Sequence, residues 1–248
     1  MRLLAVDTST SHLSVAVLEG RTLRAKMVRQ VSGGHADCLL GAIDAVLAAA
    51  GIGKRELDCL AVCRGPGSFS GLRVGIAGLA GMAAALEKPL LSFVGLDLLA
   101  LQFASCWPGI VCPVLDARRH QVYWAAYEAA AGGNGCRRLS DYRVDDPGKI
   151  FTVDRPAAIL AVGSGVDAYR EVMAAAGGGR LLGLPRGIAD LALVPVLLRE
   201  QLAALGAGEP APPVRPLYIR PADAEINLAR RQAADDGRPD SGCGGRRQ

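Results

Sequence analysis

Three stretches of this 248-residue chain carry residue types whose spacing could do chemistry. The first is Gly65-Pro-Gly-Ser-Phe-Ser-Gly, which invites a phosphate-loop reading. A Walker loop needs Lys directly after its last Gly, and here Leu72 follows Gly71. A dinucleotide loop needs G-x-G-x-x-G, but Ser70 stands in the third glycine place and Gly71 comes one position late. Two readings remain open. The N–H groups at the start of the following helix could hold an anion, or the segment is a tight turn capped by Ser68 or Ser70. Neither serine fits a G-x-S-x-G nucleophile elbow, because Pro66 lies two before Ser68, and Ser68 lies two before Ser70.

The second stretch is Asp7-Thr8-Ser9-Thr10, at the end of an apolar run. The third is His35, one of three histidines with His12 and His120. The seven cysteines include no C-x-x-C pair. Cys59 and Cys63 fall on one expected strand, about 13 Å apart, too far to share an ion. Buried reduced thiols are the expectation, and no metal set is singled out.

The elements that must position these residues alternate between strand and helix, which argues α/β. Leu3–Asp7 and Leu13–Leu18 read as strands around the Asp7 turn, and Thr22–Val28 reads as a third. His35–Ala50 reads as a helix ended by Gly51, Asp58–Cys63 as a buried strand, Leu72–Leu86 as a helix stopped before Pro89, Leu90–Val94 as a strand and Leu96–Ser105 as a helix. Then Ile110–Leu115, Asp116, a polar turn and Gln121–Tyr127 repeat the opening strand–Asp–turn–strand. This is either an internal duplication or chance. A strand at Ala158–Val162, helices at Val166–Ala176 and Ile188–Leu205, and a strand at Val214–Ile219 complete the prediction. The division is 1–108, 109–228 and a disordered tail 229–248.

Composition narrows the function classes. The chain is 50% hydrophobic, with a mean hydropathy of +0.24. The longest uncharged run, Leu98 to Leu115, is broken by Pro108, Gly109 and Pro113 and reads as helix, turn and strand, not as a membrane span. The first apolar run ends at Asp7, too early for a secretory core, so a cytoplasmic location is expected. Half of the net charge of +4 lies in the tail. The body is close to neutral, and no basic face with interleaved aromatics marks it as a nucleic-acid binder. The pairs Arg118–Arg119 and Arg137–Arg138 read as solvated surface.

Two helices stand out. Gly71–Leu86 carries one charge, Arg73. On a wheel, Leu72, Ile76, Leu79, Ala83 and Leu86 form a bulky face. Gly71, Gly75, Gly78, Met82 and Ala85 form a flat one, and Ala77, Ala80 and Ala84 join Arg73 on a third. Interior glycines cost roughly 0.5–1 kcal/mol each, which close approach of another backbone along the flat face would offset. His35–Ala50 has only Asp37 and Asp44 as charges and is apolar nearly all round. Its second side needs a further layer of this chain or a partner.

Arg64-Gly-Pro-Gly-Ser-Phe-Ser-Gly-Leu-Arg-Val-Gly-Ile-Ala resembles the signature loop of the TsaB (YeaZ) family, bacterial proteins of tRNA threonylcarbamoyladenosine biosynthesis. Leu4-Ala-Val-Asp-Thr-Ser-Thr, His35 opening a helix, Asp116-Ala-Arg-Arg-His-Gln-Val-Tyr-Trp and Pro216-Leu-Tyr-Ile-Arg match in order. The resemblance implies an actin-like, sugar-kinase-like (ASKHA) fold of two similar lobes, each a mixed sheet with flanking helices. It implies a non-catalytic subunit that dimerises with and activates the TsaD paralogue, which holds the metal and transfers the threonylcarbamoyl group. A TsaE ATPase joins them. ATP and a divalent metal serve the complex, none is bound by this subunit alone, and tRNA is met only through the complex. The family's helix pair implies an interface of His35, Leu39, Ile43, Gly71, Arg73, Val74, Gly75, Gly78 and Met82. The same helices would serve a homodimer of the isolated subunit, and Gly75→Leu is expected to break the complex without unfolding the chain. Asp7, Thr8, Ser9 and Asp116 would be a vestigial nucleotide loop, because Ser9 replaces the Gly of D-x-G-T. The competing readings are a metallopeptidase-like enzyme, opposed by Leu39 in place of the second His of H-x-x-x-H, and an actin-like ATPase, opposed by Ser9. Ser70 departs from the family's usual Thr.

Overall fold

The computed structural model describes residues 1–32, 34–104, 106–107, 109–129, 135–152, 158–184 and 188–220. The predicted tail 229–248, the end of the predicted second lobe at 221–228, and Ser105 at the end of a predicted helix lie outside them.

The first sheet is built from β1 (Arg2–Asp7), β2 (His12–Glu19), β3 (Thr22–Gln30), β4 (Cys59–Cys63) and β5 (Leu90–Phe93). Its order is β3-β2-β1-β4-β5, with a three-strand antiparallel meander followed by parallel strands. Period-two alternation sends Leu4, Val6, Leu13, Val15 and Val17 to one face and Leu3, Ala5, Ala16 and Leu18 to the other. Helices α1 (His35–Ala50) and α2 (Phe69–Leu86) cover the first face. α1 ends at Gly51, which takes the left-handed conformation of a C-terminal cap (φ 66°).

The second sheet repeats this plan. Its strands are β6 (Ile110–Asp116), β7 (Val122–Trp124), β8 (Tyr127–Ala129), β9 (Cys136–Arg138), β10 (Arg143–Asp145), β11 (Ile159–Val162) and β12 (Leu181–Leu184). The order β10-β7-β6-β11-β12, antiparallel then parallel, is that of the first sheet, with β8 and β9 added off the β6 edge. α4 (Ser164–Gly177) joins β11 to β12 as α2 joins β4 to β5. The duplication is therefore real, and the fold is the actin-like, two-sheet α/β arrangement. α3 (Gly95–Ala104) lies between the sheets, with Leu98 in the core of the first and Leu96, Leu99 and Ala100 in that of the second.

Three expectations are corrected. Gln121–Tyr127 is two short strands that break at Ala125–Ala126. The helix over Ile188–Leu205 is a 3₁₀ turn at Leu191–Leu193, then α5 (Val194–Leu197) and α6 (Arg199–Gly206). Pro195 lacks an N–H and can sit only in a first turn, so the continuous pattern restarts there. These residues pack on the first sheet, with Leu191, Val194 and Leu198 buried against Leu3 and Ala5. Val214–Ile219 joins no sheet. It is an extended strap whose Leu217 N–H donates to the Arg64 carbonyl at 2.7 Å.

Candidate functional site

β1 delivers Asp7 to a turn that the fold then buries. The Asp7 carboxylate accepts the Ser9 N–H at 2.7 Å, fixing the Thr8–Ser9 backbone. The loop after β4 closes over it. Ser68 N–H donates to the Ser9 carbonyl at 2.7 Å, and the Thr8 hydroxyl donates to the Gly71 carbonyl at 2.8 Å. Ser68 also caps α2 through the Gly71 N–H, which settles the capping alternative. Thr8 and Ser9 are 0% and 2% exposed. A Cβ at Gly67 would overlap the Ser9 carbonyl, one at Gly71 the Thr8 carbonyl and one at Gly75 the Thr8 hydroxyl. The segment read as a nucleotide loop is filled by the chain itself, and its residues do not fit a phosphate.

These contacts relocate the flat face of α2. The backbone that approaches it belongs to this chain. Gly71 and Gly75 are buried on the Thr8 turn, and a Cβ at Gly78 would stand 2.9 Å from Leu39 of α1. Leu39 and Ile43 are 3% and 0% exposed, in the core. Val74, Met82 and His35 are half-buried at the seam between the helices, and Arg73 is exposed. Gly75→Leu would thus strike the fold before any interface. The open surface is the neighbouring arc, Ala77, Ala80, Gly81, Ala84 and Ala85, continued on α1 by Leu40, Gly41, Ala45 and Ala48. By length and composition α2 is apolar enough to cross a membrane, yet Leu72, Leu79 and Ala83 are packed inside the lobe.

Leu39 takes the place of a second imidazole one turn after His35 and packs on α2. Among the described residues no three His, Cys, Asp or Glu side chains gather into a metal-binding group. Burial pushes the Cys59 thiol up to about 11 and the Cys63 thiol well above its ordinary value, as expected of inert buried cysteines, whereas Cys38 and Cys136 are only half-buried and Cys106 is exposed, which corrects the expectation of buried thiols throughout.

At the head of α2 lies a cluster that pattern alone did not assemble. The Arg73 guanidinium sits 3.9 Å over the Phe69 ring, and the Tyr218 ring lies 4.9 Å from Phe69. Arg73 Nε donates to the Tyr218 hydroxyl at 3.4 Å. The strap brings Tyr218 here, so Pro216-Leu-Tyr-Ile-Arg was the available signal.

Asp116 occupies the matching turn of the second sheet. Its carboxylate accepts the Arg118 N–H at 2.7 Å and the Tyr169 hydroxyl at 3.0 Å. Arg118, Arg119 and His120 follow in the left-handed region, at φ 59°, 54° and 57°. Asp116 and these three residues are exposed. No contact joins Asp116 to Asp7 among those of the described residues.

The sequence matches the family model described as TsaD, tRNA N6-adenosine threonylcarbamoyltransferase, over residues 29–228. The tRNA threonylcarbamoyladenosine biosynthesis protein TsaB of Haemophilus influenzae is 30% identical over 230 residues, which cover 89% of this chain and 94% of that protein. The TsaB protein of Bacillus subtilis is 30% identical over 132 residues, 53% of this chain. That match spans a little over half, 57%, of the relative's length. The solved structure of YeaZ from Pseudomonas aeruginosa superposes with a TM-score of 0.70 at 29% identity, over 88% of this chain and 99% of that one. The signature loop, the two-sheet fold and these matches agree, and the chain belongs to the TsaB (YeaZ) family.

Proposed function

We propose that this chain is the non-catalytic subunit of the complex that forms N6-threonylcarbamoyladenosine next to the tRNA anticodon, docking on a TsaD-like paralogue and activating it. One observation carries the reading: the open arc of α1 and α2. From Phe69 to Leu86 the only charge is Arg73, and beyond it the exposed residues are Ala and Gly, which let another helix approach closely. Leu40, 57% exposed, adds an apolar anchor. A patch of this kind is worth little in water until a second surface covers it.

The filled turn at Asp7–Ser9 supports a division of labour in which ATP and the divalent metal act elsewhere in the assembly, with a TsaE-like ATPase as the third member. On this reading tRNA is held through the complex, in the cytoplasm. The same alanine- and glycine-rich arc would serve a homodimer of the isolated subunit.

The test is threonylcarbamoyl transfer to tRNA, assayed with this chain alone and with the paralogue and ATPase subunit added. Transfer is expected only in the mixture. Transfer by the chain alone, or an unchanged rate when it is added, would sink the proposal. Ala77→Arg, at an exposed position, should abolish co-elution with the paralogue while circular dichroism stays unchanged. A complex that persists would place the interface elsewhere.

A further inference from the structure

The connections of the first sheet open a crevice remote from the α1–α2 arc. The chain leaving β4 turns to α2 on one face of the sheet, and the chain leaving β5 turns to α3 on the other. Adjacent parallel strands whose connections diverge in this way leave a gap at their carboxyl ends, where open α/β sheets bind ligands. Here the gap is a cleft of about 410 Å³, within the size range of small-molecule sites. Arg64 enters it from the end of β4, Phe93 from β5, Asp97 from α3, Leu198 and Gln201 from the C-terminal helices, and Arg215 from the strap.

Its polar groups are unevenly satisfied. The Asp97 carboxylate is taken by the Tyr127 hydroxyl at 2.6 Å and the Tyr142 hydroxyl at 2.8 Å. Burial, reinforced by the Asp97 charge, pushes both phenols up, so they remain donors. Arg64 and Arg215 have no carboxylate within ion-pair distance among the described residues. The side-chain carbonyl of Gln201 is buried with no donor, a costly state for a buried acceptor. The cleft therefore offers two guanidinium groups without a carboxylate partner, with Gln201 packed into its wall.

We propose that this cleft binds a small oxyanion-bearing metabolite, its carboxylate or phosphate held by Arg64 and Arg215. Guanidinium forks suit both anions. The inference stands apart from the docking face, which lies across the sheet.

Isothermal titration of the full chain with L-malate, and separately with inorganic phosphate, tests it and distinguishes the two anions. One of the probes should bind at one site per chain, with millimolar or tighter affinity. Arg215→Gln should weaken that binding about tenfold or more, whereas Arg55→Gln, remote from the cleft, should leave it unchanged. Arg215 is exposed, and circular dichroism confirms that each variant is folded. Absence of saturable binding of either probe to the wild type, or binding unchanged in Arg215→Gln, would overturn the proposal. Co-elution with the paralogue should survive Arg215→Gln, so failure here and failure of the subunit reading are read separately.

Discussion

The turn after β1 and the turn after β6 occupy equivalent places in two sheets of the same order, and both begin with an Asp that accepts the N–H two residues on. Beyond that they diverge. The first is buried under the loop at Pro66–Gly71 and serves as a seat for α2. The second is open, carries Arg118, Arg119 and His120 outward, and holds all three in the left-handed region. One copy has become packing and the other has stayed surface. In a duplicated fold an equivalent position thus predicts backbone geometry and says little about role. The hydrogen bonds of the Asp survive because they shape the turn whatever covers it.

The sharpest way to break the contrast is to add bulk at the seat of the buried turn. Gly75→Leu should lower stability by about 3 kcal/mol or more, because the new side chain has no room beside Thr8. Urea unfolding would read the loss, and near-wild-type stability would contradict the packing described. Thr8→Val keeps the shape and removes the hydroxyl that serves Gly71, and should cost about 1–3 kcal/mol by the same measurement. Ser68→Ala removes the α2 cap and should cost about 1 kcal/mol. At the open turn the sign reverses. His120→Gly relieves a left-handed residue, worth roughly 1–2 kcal/mol, against a comparable entropy cost in the unfolded chain. Calorimetry should find the melting temperature level or slightly raised. A clear drop would show that the open turn is also held by its side chains.

Much of this was legible from residue order. The alternation of Leu13, Val15 and Val17 fixes β2, and the strand–Asp–turn–strand repeat announces the second sheet. The three faces of α2 are also visible on a wheel. Which of them is open is not, because the Thr8 hydroxyl and carbonyl that fill the glycine face arrive from a turn more than sixty residues earlier. β9 and β10 have three residues each, too few for a period to show. The restart at Pro195 is a one-residue signal inside an otherwise continuous helical pattern. The Arg64, Gln201 and Arg215 cleft has no local signature, since its groups come from separate segments that only the fold brings together.

The return of α5 and its neighbours to the first sheet has a consequence during synthesis. Leu3, Ala5, Ala16 and Leu18 are finally covered by Leu191, Val194 and Leu198. On the ribosome, the lobe that emerges first is therefore completed last. Until then that side of the sheet is covered only in part, by Leu98 of α3, and the apolar surface left open is of the kind that aggregates or recruits chaperones. A chain ended before Leu191 would lack that cover permanently.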